Sequence, residues 1–227
     1  MTTDMLQIDF HAHILPGADH GSDGLATSLR QVALAREAGI DLLIATPHFY
    51  PHLESPWAFL ERRAETWACL REALPADAPQ LRIGAEVQLC RGLDRMTDLE
   101  QLCVEGTRVL LLELPRDFSV RAYEQTLDAL LYERKLTVVL AHVDRCVPGT
   151  VDFLLELGFL AQVNAAPFCR LRSRKAALRC AESVQTVALG SDIHGVATGY
   201  TEFLQMKRRL GPTYDAVMAR TAALLGL

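Results

Sequence analysis

An α/β fold with parallel strands, in a chain of barrel size, is what this sequence predicts, and three observations predict it. Short apolar runs alternate with longer segments of helical periodicity along the whole chain. Seven such runs can be counted, each followed by at least one helical segment, as parallel strands require because their connections must cross back over the sheet. Each run also ends in a residue able to bind a metal or a polar substrate, and right-handed crossovers would put all these ends on one face. No linker-like or low-complexity stretch interrupts the alternation, so residues 1–227 are expected to form a single domain.

The first run ends at Phe10, and the segment from Asp9 to Gly21 reads D-F-H-A-H-I-L-P-G-A-D-H-G. In extended backbone alternate side chains share a face, so His11 and His13 project together and can grip one ion. Pro16 and Gly17 turn the chain, and Asp19 returns a carboxylate to the same neighbourhood. Ser22 to Gly39 carries apolar residues at 25, 29, 32, 34, 35 and 38 and ends in Gly, predicting an amphipathic helix with a glycine cap. Asp41 to Ala45 is a strand running into Thr46, Pro47 and His48, and Pro56 to Leu74 is a helix with Pro in its first turn. Leu81 to Ala85 meets Glu86; a helix over Asp94 to Val104 precedes the strand Val109 to Leu112, which meets Glu113. Val120 to Arg134 is helical, and Leu136 to Ala141 is a strand meeting His142. Gly149 to Leu157 is helical, and Phe159 to Val163 is a strand meeting Asn164. Arg172 to Glu182 is helical, and Val184 to Leu189 is a strand meeting Ser191, Asp192 and His194. Helices over Thr201 to Leu210 and Tyr214 to Leu225 close the chain.

Composition narrows the class. Half the residues are apolar and 22% are charged, as in a soluble globular protein. A formal charge of -5 gives no electrostatic footprint for nucleic acid. The six cysteines are widely spaced with no C-x-x-C pair, which suits reduced, mostly packed thiols in a cytosolic protein. No basic segment followed by an apolar run opens the chain, and no eighteen consecutive residues are apolar, so neither secretion nor a membrane span is expected.

A lone Glu after a strand often caps a helix, and a lone His is often a satisfied half-buried imidazole. Here five of the seven histidines fall at strand ends or in the first loop: His11, His13, His48, His142 and His194. They are joined there by Asp19, Glu86, Glu113 and Asp192, while His20 and His52 lie further off and read as solvated or supporting. Imidazoles and carboxylates without thiolates select Mn, Fe or Zn over copper(I) or an iron–sulfur cluster. Nine groups exceed the three or four that one catalytic ion takes, so two or three ions sharing bridging carboxylates are expected. Ions roughly 3.5–4 Å apart activate a bridging water and clamp both oxygens of an in-line displacement at phosphorus, which makes phosphate ester hydrolysis the leading reaction class. Arg145, three residues after His142, is placed either to meet a phosphate with its guanidinium or to stand on the surface before a helix.

The segments H-A-H (11–13), A-T-P-H (45–48), G-A-E (84–86), L-L-E-L (111–114), A-H-V-D-R (141–145), Q-V-N (162–164) and G-S-D-I-H (190–194) resemble the ordered motifs of the PHP family, named for polymerase and histidinol phosphatase. H-x-H-I-L-P-G-x-D-x-G followed by A-T-P-H is similar to its branch of bacterial tyrosine phosphatases tied to capsular and exopolysaccharide synthesis. The resemblance implies a distorted seven-stranded β/α barrel, a TIM-like fold with its metal site at the C-terminal ends of the strands. It implies one ion on His11, His13, Glu86 and Asp192, a second on Glu86, Glu113 and His142, and a third on Asp19, His48 and His194. Manganese is the usual metal, with iron or zinc among relatives. A water activated by the ions would attack the phosphotyrosine phosphorus, Arg145 would bind the phosphoryl group, and Asp19 would be the general acid to the phenolate. The partner implied is an autophosphorylating tyrosine kinase of polysaccharide assembly in the cytoplasm, with oligomers known in the branch. This chain departs from the branch at His20, where a second Asp is usual, at Phe49, where a second His is usual, and in having no Arg from Gly195 to Tyr200. Two alternatives stay open: hydrolysis of a small phosphorylated metabolite of the histidinol phosphate type, and a weakly active metal-binding regulator.

Overall fold

Two short strands beyond the ends of predicted runs shape the architecture. In the computed structural model, which describes residues 5–197 and 199–227, the chain runs β1 (Ile8–Ala12), α1 (Leu25–Glu37), β2 (Leu42–Ala45), β3 (His48–Phe49), α2 (Pro56–Ala73), β4 (Gln80–Ile83), β5 (Glu86–Gln88) and β6 (Val109–Glu113). It continues through α3 (Val120–Asp128), β7 (Thr137–Leu140), α4 (Pro148–Glu156), β8 (Leu160–Asn164), α5 (Ala166–Cys169), α6 (Leu171–Glu182), β9 (Thr186–Gly190), α7 (Thr201–Leu210) and α8 (Pro212–Leu224). Strands β1, β2 and β4 form one sheet in that order, and β3, β5, β6, β7, β8 and β9 form a second. Every strand pair is parallel, so the strands deliver their C-terminal ends in a common direction.

Nine strands stand where seven were expected because pairing resumes past two predicted runs, at His48–Phe49 after Asp41 to Ala45 and at Glu86–Gln88 after Leu81 to Ala85. Between β2 and β3 lie Thr46 and Pro47, and Pro47 has no N–H to give to a ladder; its carbonyl instead accepts from Glu86 N at 3.1 Å. Between β4 and β5 lie Gly84 and Ala85, where Gly84 N donates to Ala45 O at 2.8 Å. The two sheets are further joined by an isolated parallel bridge between Ala12 and Ile193, flanked by Asp192 N donating to His11 O at 2.8 Å. The fold is thus α/β with parallel sheets, and no closed sheet forms among the described residues.

The helix expected over Asp94 to Val104 is replaced by two 3₁₀ turns, Leu93–Arg95 and Leu99–Leu102. Asp98 between them is left-handed at φ 60, which breaks an α-helical ladder, while Leu93, Leu99 and Leu102 still reach the core. The helix predicted to reach Arg134 ends its α-helical part at Asp128 and finishes as a π turn over Ala129–Glu133. Arg63 of α2 is buried and donates to Gly84 O at 2.8 Å and Gln101 O at 2.7 Å, tying the strand break to the second 3₁₀ turn. Burial pulls its pKa down to about 10.

The core is lined by fully buried Phe10, Phe49, Phe59, Phe159, Phe168, Phe203 and Tyr214. Within it sits Asp9, whose Oδ2 accepts from Tyr200 Oη at 2.7 Å and whose Oδ1 accepts from Ser191 N at 2.8 Å. That carboxylate fastens the Ser191–Asp192 segment beside β1, and burial raises its pKa despite these bonds. All six cysteines are free, Cys103 being buried. No helix of the described residues is long and apolar enough to cross a membrane.

Candidate metal centre

The strand ends bring five imidazoles and three carboxylates to one cleft, those of His11, His13, His48, His142, His194, Glu86, Glu113 and Asp192. His11 and His13 alternate along β1 and its extension, and their Nε2 atoms lie 3.0 Å apart. Glu86 opens β5, directly across from His48 in the β3–β5 register. Its Oε2 lies 2.9 Å from His48 Nδ1, 3.2 Å from His11 Nε2 and 3.3 Å from His13 Nε2, and its Oε1 lies 2.8 Å from His142 Nε2. Asp192 Oδ1 is 3.4 Å from His13 Nε2 and 3.5 Å from His194 Nδ1. Glu113, ending β6, has Oε1 3.6 Å from His142 Nε2.

Few of these contacts are hydrogen bonds. Glu86 Oε2 is buried without a hydrogen-bond partner although three ring nitrogens crowd it, and buried His48 Nδ1, His142 Nδ1 and His194 Nε2 have none either. Buried polar atoms are normally satisfied, and lone pairs that crowd one point without pairing suit a shared cation. Three donor groups have ligand atoms close enough to share an ion: His11, His13 and Asp192; His48, Glu86 and Glu113; and His13, His48 and His194. His48 therefore faces Glu86 and Glu113 as well as His194, and Asp19 belongs to none of the three groups.

The electrostatics agree with that donor set. Burial alone would raise the Glu86 carboxyl, but His11, then His13 and His142, hold it well below the usual range. Asp192 is likewise held low against burial by His11, His13 and Arg145. Burial opposes protonation of His11 and His13, and the facing carboxylates raise both nonetheless. His194 is pushed down to about 4 by burial and by His13, which keeps its imidazole neutral and able to ligate. Burial and the Glu86 charge push Glu113 up. Carboxylates that draw positive charge onto His11 and His13, beside a His194 ring kept neutral, fit divalent cations, which would replace those protons.

Asp19 stands behind the cleft. Its Oδ2 accepts from His13 Nδ1 at 2.8 Å and from His48 N at 2.9 Å, and its Oδ1 accepts from Gly21 N at 2.8 Å. Burial opposes its ionisation, yet these bonds hold its pKa well below the carboxylate range. It orients the His13 ring and the His48 backbone, as carboxylates do behind ligating histidines. Arg145 lies at the cleft mouth, half exposed, with Nη2 on Asp192 Oδ2.

Further residues build this cleft, among them Asn164, which the sequence marked as a strand end, and Gln162 of the same Q-V-N motif, to neither of which it gave a role. Gln162, fully buried, accepts from His142 N at 2.7 Å, has its Oε1 3.2 Å from His11 Nδ1 and donates to Asn164 Oδ1 at 2.8 Å. Asn164 in turn donates to Asp192 Oδ2 at 2.7 Å. Their spacing of two in Q-V-N puts both on one face of β8, a signal of the same kind as H-x-H. Gln31 of α1 donates to His13 O, Gly21 O and Gly195 O at 3.1–3.2 Å. His20 and Tyr50 line the mouth, a cavity of about 450 Å³, where His20 stacks on His48 at 4.8 Å between centroids and Tyr50 at 5.1 Å. His52 lies 5.9 Å from Tyr50, outside the donor groups.

Backbone strain concentrates here. Of four non-glycine residues with positive φ among the described residues, two are His142 (φ 34) and Asp192 (φ 52). Left-handed backbone costs a side-chain-bearing residue roughly 1–3 kcal/mol and persists where the surroundings over-determine it. The Gln162 bond to His142 N and the His11 carbonyl bond to Asp192 N do so here. Gly190 must be glycine for a different reason, since a Cβ there would come within 2.5 Å of His11 Cβ.

A parallel α/β scaffold with imidazoles and carboxylates converging at its strand ends defines the class of metal-type hydrolase folds. The chain belongs to the capsular polysaccharide synthesis CpsB/CapC family, whose model matches residues 7–203. It is 27% identical over 208 residues to the tyrosine-protein phosphatase YwqE of Bacillus subtilis (strain 168), covering 84% of this chain and 78% of YwqE. It superposes with a TM-score of 0.78 at 25% identity on a solved chain from work on YwqE of Bacillus subtilis and CpsB of Streptococcus pneumoniae, described there as unique metal-dependent tyrosine phosphatases, covering 96% of this chain and 94% of that one. A TatD-like protein from Archaeoglobus fulgidus matches with a TM-score of 0.59 at 15% identity, over 97% of this chain and all 100% of that one, and shows a likeness of fold alone.

Proposed function

We propose that this chain is a metal-dependent phosphomonoesterase that hydrolyses phosphotyrosine on a cytoplasmic protein of polysaccharide assembly, an autophosphorylating tyrosine kinase. The observation that carries the reading is Glu86 Oε2, crowded by three imidazole nitrogens yet hydrogen-bonded to none, in a chain of this family. The fold is read as a distorted seven-stranded barrel in which β2 with β3, and β4 with β5, each count as one broken strand. The Ala12–Ile193 bridge, which sets the last strand position beside the first, supports it.

His11, His13 and Asp192 would hold one ion, Glu86 and Glu113 a second with His142 and His48 on either side, and His194 with His48 and His13 a third. When bound, such ions, of the Mn, Fe or Zn class by the donor set and manganese by the family resemblance, would supply Lewis acidity that lowers the pKa of water and neutralises charge on the phosphoryl oxygens. The residues supply position. Arg145, reaching the mouth beside Asp192, offers its remaining N–H groups to phosphoryl oxygens in forked geometry. Tyr50, pushed up to about 12 by burial and by Glu113, stays a proton donor at the same mouth. Asp19 has both oxygens engaged as acceptors and stays ionised, so it orients His13 and is replaced in our reading as general acid. His20, stacked on His48, stands with Tyr50 at the mouth as a candidate to protonate the phenolate oxygen.

The test is hydrolysis by manganese-loaded protein of a phosphotyrosine peptide against phosphoserine peptide and histidinol phosphate. A preference for phosphotyrosine that disappears in His13→Ala is expected. A stronger preference for the small metabolite would overturn the reading, and so would activity that survives His13→Ala.

A further inference from the structure

We propose that the enzyme selects phosphotyrosine peptides carrying acidic residues on one side of the phosphotyrosine, recognised by an arginine-lined groove reached from the metal-centre mouth across Phe118 and Tyr123. The proposal rests on the phosphotyrosine reading above and names its substrate class.

Three observations lead from the mouth to the groove. First, a cleft of about 350 Å³ shares Glu113, His142 and Arg145 with the mouth, so a phosphoryl group seated there has this cleft beside it for its leaving group. Its other walls include Leu114, Pro115 and Phe118, apolar surface suited to an aryl ring. Second, Phe118 stacks on Tyr123 with ring centroids 5.6 Å apart and planes 13° from parallel. Tyr123 in turn lines a groove of about 510 Å³ together with Arg91, Arg95 and Arg121, so the aromatic pair is the wall common to both hollows. Third, the charges are free to act. Arg116, in the first cleft, and Arg91 and Arg121, in the second, are exposed and form no ion pair among the described residues.

Arg95 is loosely paired with Asp94 at 3.7 Å, and Asp94 and Glu124 line the same groove as the arginines. The balance over the two hollows, apart from the metal-centre residues, remains basic in a chain whose net charge is -5. Guanidinium forks bind carboxylates in two-point geometry, and an extended peptide advances roughly 3.3 Å per residue, so successive acidic side chains can meet successive arginines. Neutral or basic flanks would gain nothing there, and basic ones would be repelled.

The test uses manganese-loaded full chain and peptides with a non-hydrolysable phosphonate analogue of phosphotyrosine, flanked by a run of glutamates before it, a run after it, or neutral residues. Binding is read by fluorescence anisotropy. One acidic peptide is expected to bind about fivefold tighter than the neutral one at low salt, as a few exposed charge pairs allow. That advantage should vanish at roughly 0.5 M salt, where screening acts within a few ångströms, and in the double variant Arg91→Ala/Arg121→Ala. Equal affinity of all three peptides, or a preference retained in the double variant, would overturn the proposal. Failure of the wild-type chain to hydrolyse 4-nitrophenyl phosphate and a neutral phosphotyrosine peptide would instead overturn the phosphatase reading, whatever the anisotropy shows.

Discussion

Replacing Gln162 by Met should damage the metal centre without touching a proposed ligand. The two side chains are similar in length, so the loss is chemical rather than volumetric. Met supplies no good acceptor for His142 N, now 2.7 Å from Gln162 Oε1, or for His11 Nδ1 at 3.2 Å, and no donor for Asn164 Oδ1 at 2.8 Å. Each buried polar group left unpaired costs about 1–3 kcal/mol, and partial relaxation of three such groups leaves a net loss of about 3–5 kcal/mol. For a chain of this length that is a fall in Tm of roughly 10 °C. The His142 backbone, held at φ 34 partly by that bond, would also relax and carry its ring away from Glu86. Residues that support ligating histidines typically weaken metal affinity about 10–100-fold when removed. Urea denaturation of chelator-treated protein isolates the stability term, and manganese titration by calorimetry reads the affinity. Wild-type midpoint and affinity in Gln162→Met would refute the assignment of Gln162 as the brace of His11 and His142.

Other predictions follow from the same geometry. His142→Gly and His142→Ala should both lose phosphatase activity, yet the Gly variant should be about 1 kcal/mol more stable by denaturant midpoint, because only glycine adopts φ 34 freely; equal midpoints would count against stored strain. Gly190→Ala should lose about 2–4 kcal/mol and most manganese affinity, since the new methyl would press His11 Cβ at 2.5 Å and Gln162 Nε2 at 2.7 Å. Chelation should lower Tm in a way that manganese restores at far lower concentration than magnesium, because imidazoles favour the former; thermal melts across a metal series decide it, and equal rescue by magnesium would oppose an imidazole-rich site.

Much of the centre is legible in the sequence because its logic is local. A ligand at a strand end is announced by the apolar run before it, and His11 with His13 declare a shared face through their spacing alone. The same rule applied to the Q-V-N motif, whose Asn164 already stood at a strand end, adds Gln162 to the same face of β8. The end of the second strand at Ala45, before Pro47, was legible as well, since a residue with no N–H cannot continue a ladder.

Asp19 marks the limit of that reading. Its position after a turn places it near the ligands, but whether it faces the cleft or the back of His13 depends on which N–H groups the folded chain sets around it, those of Gly21 and His48. The same holds for Gln31, which braces His13, Gly21 and Gly195 from a helix whose sequence shows only periodicity, and for the arginines gathered around Tyr123. What the sequence by itself determined was the kind of donor and the strand end that carries it, because both follow from residue type and backbone period. What only the tertiary structure decided was the partner of each polar atom and the backbone angle at His142 and Asp192. Those depend on packing between segments far apart in the chain, which no local pattern encodes.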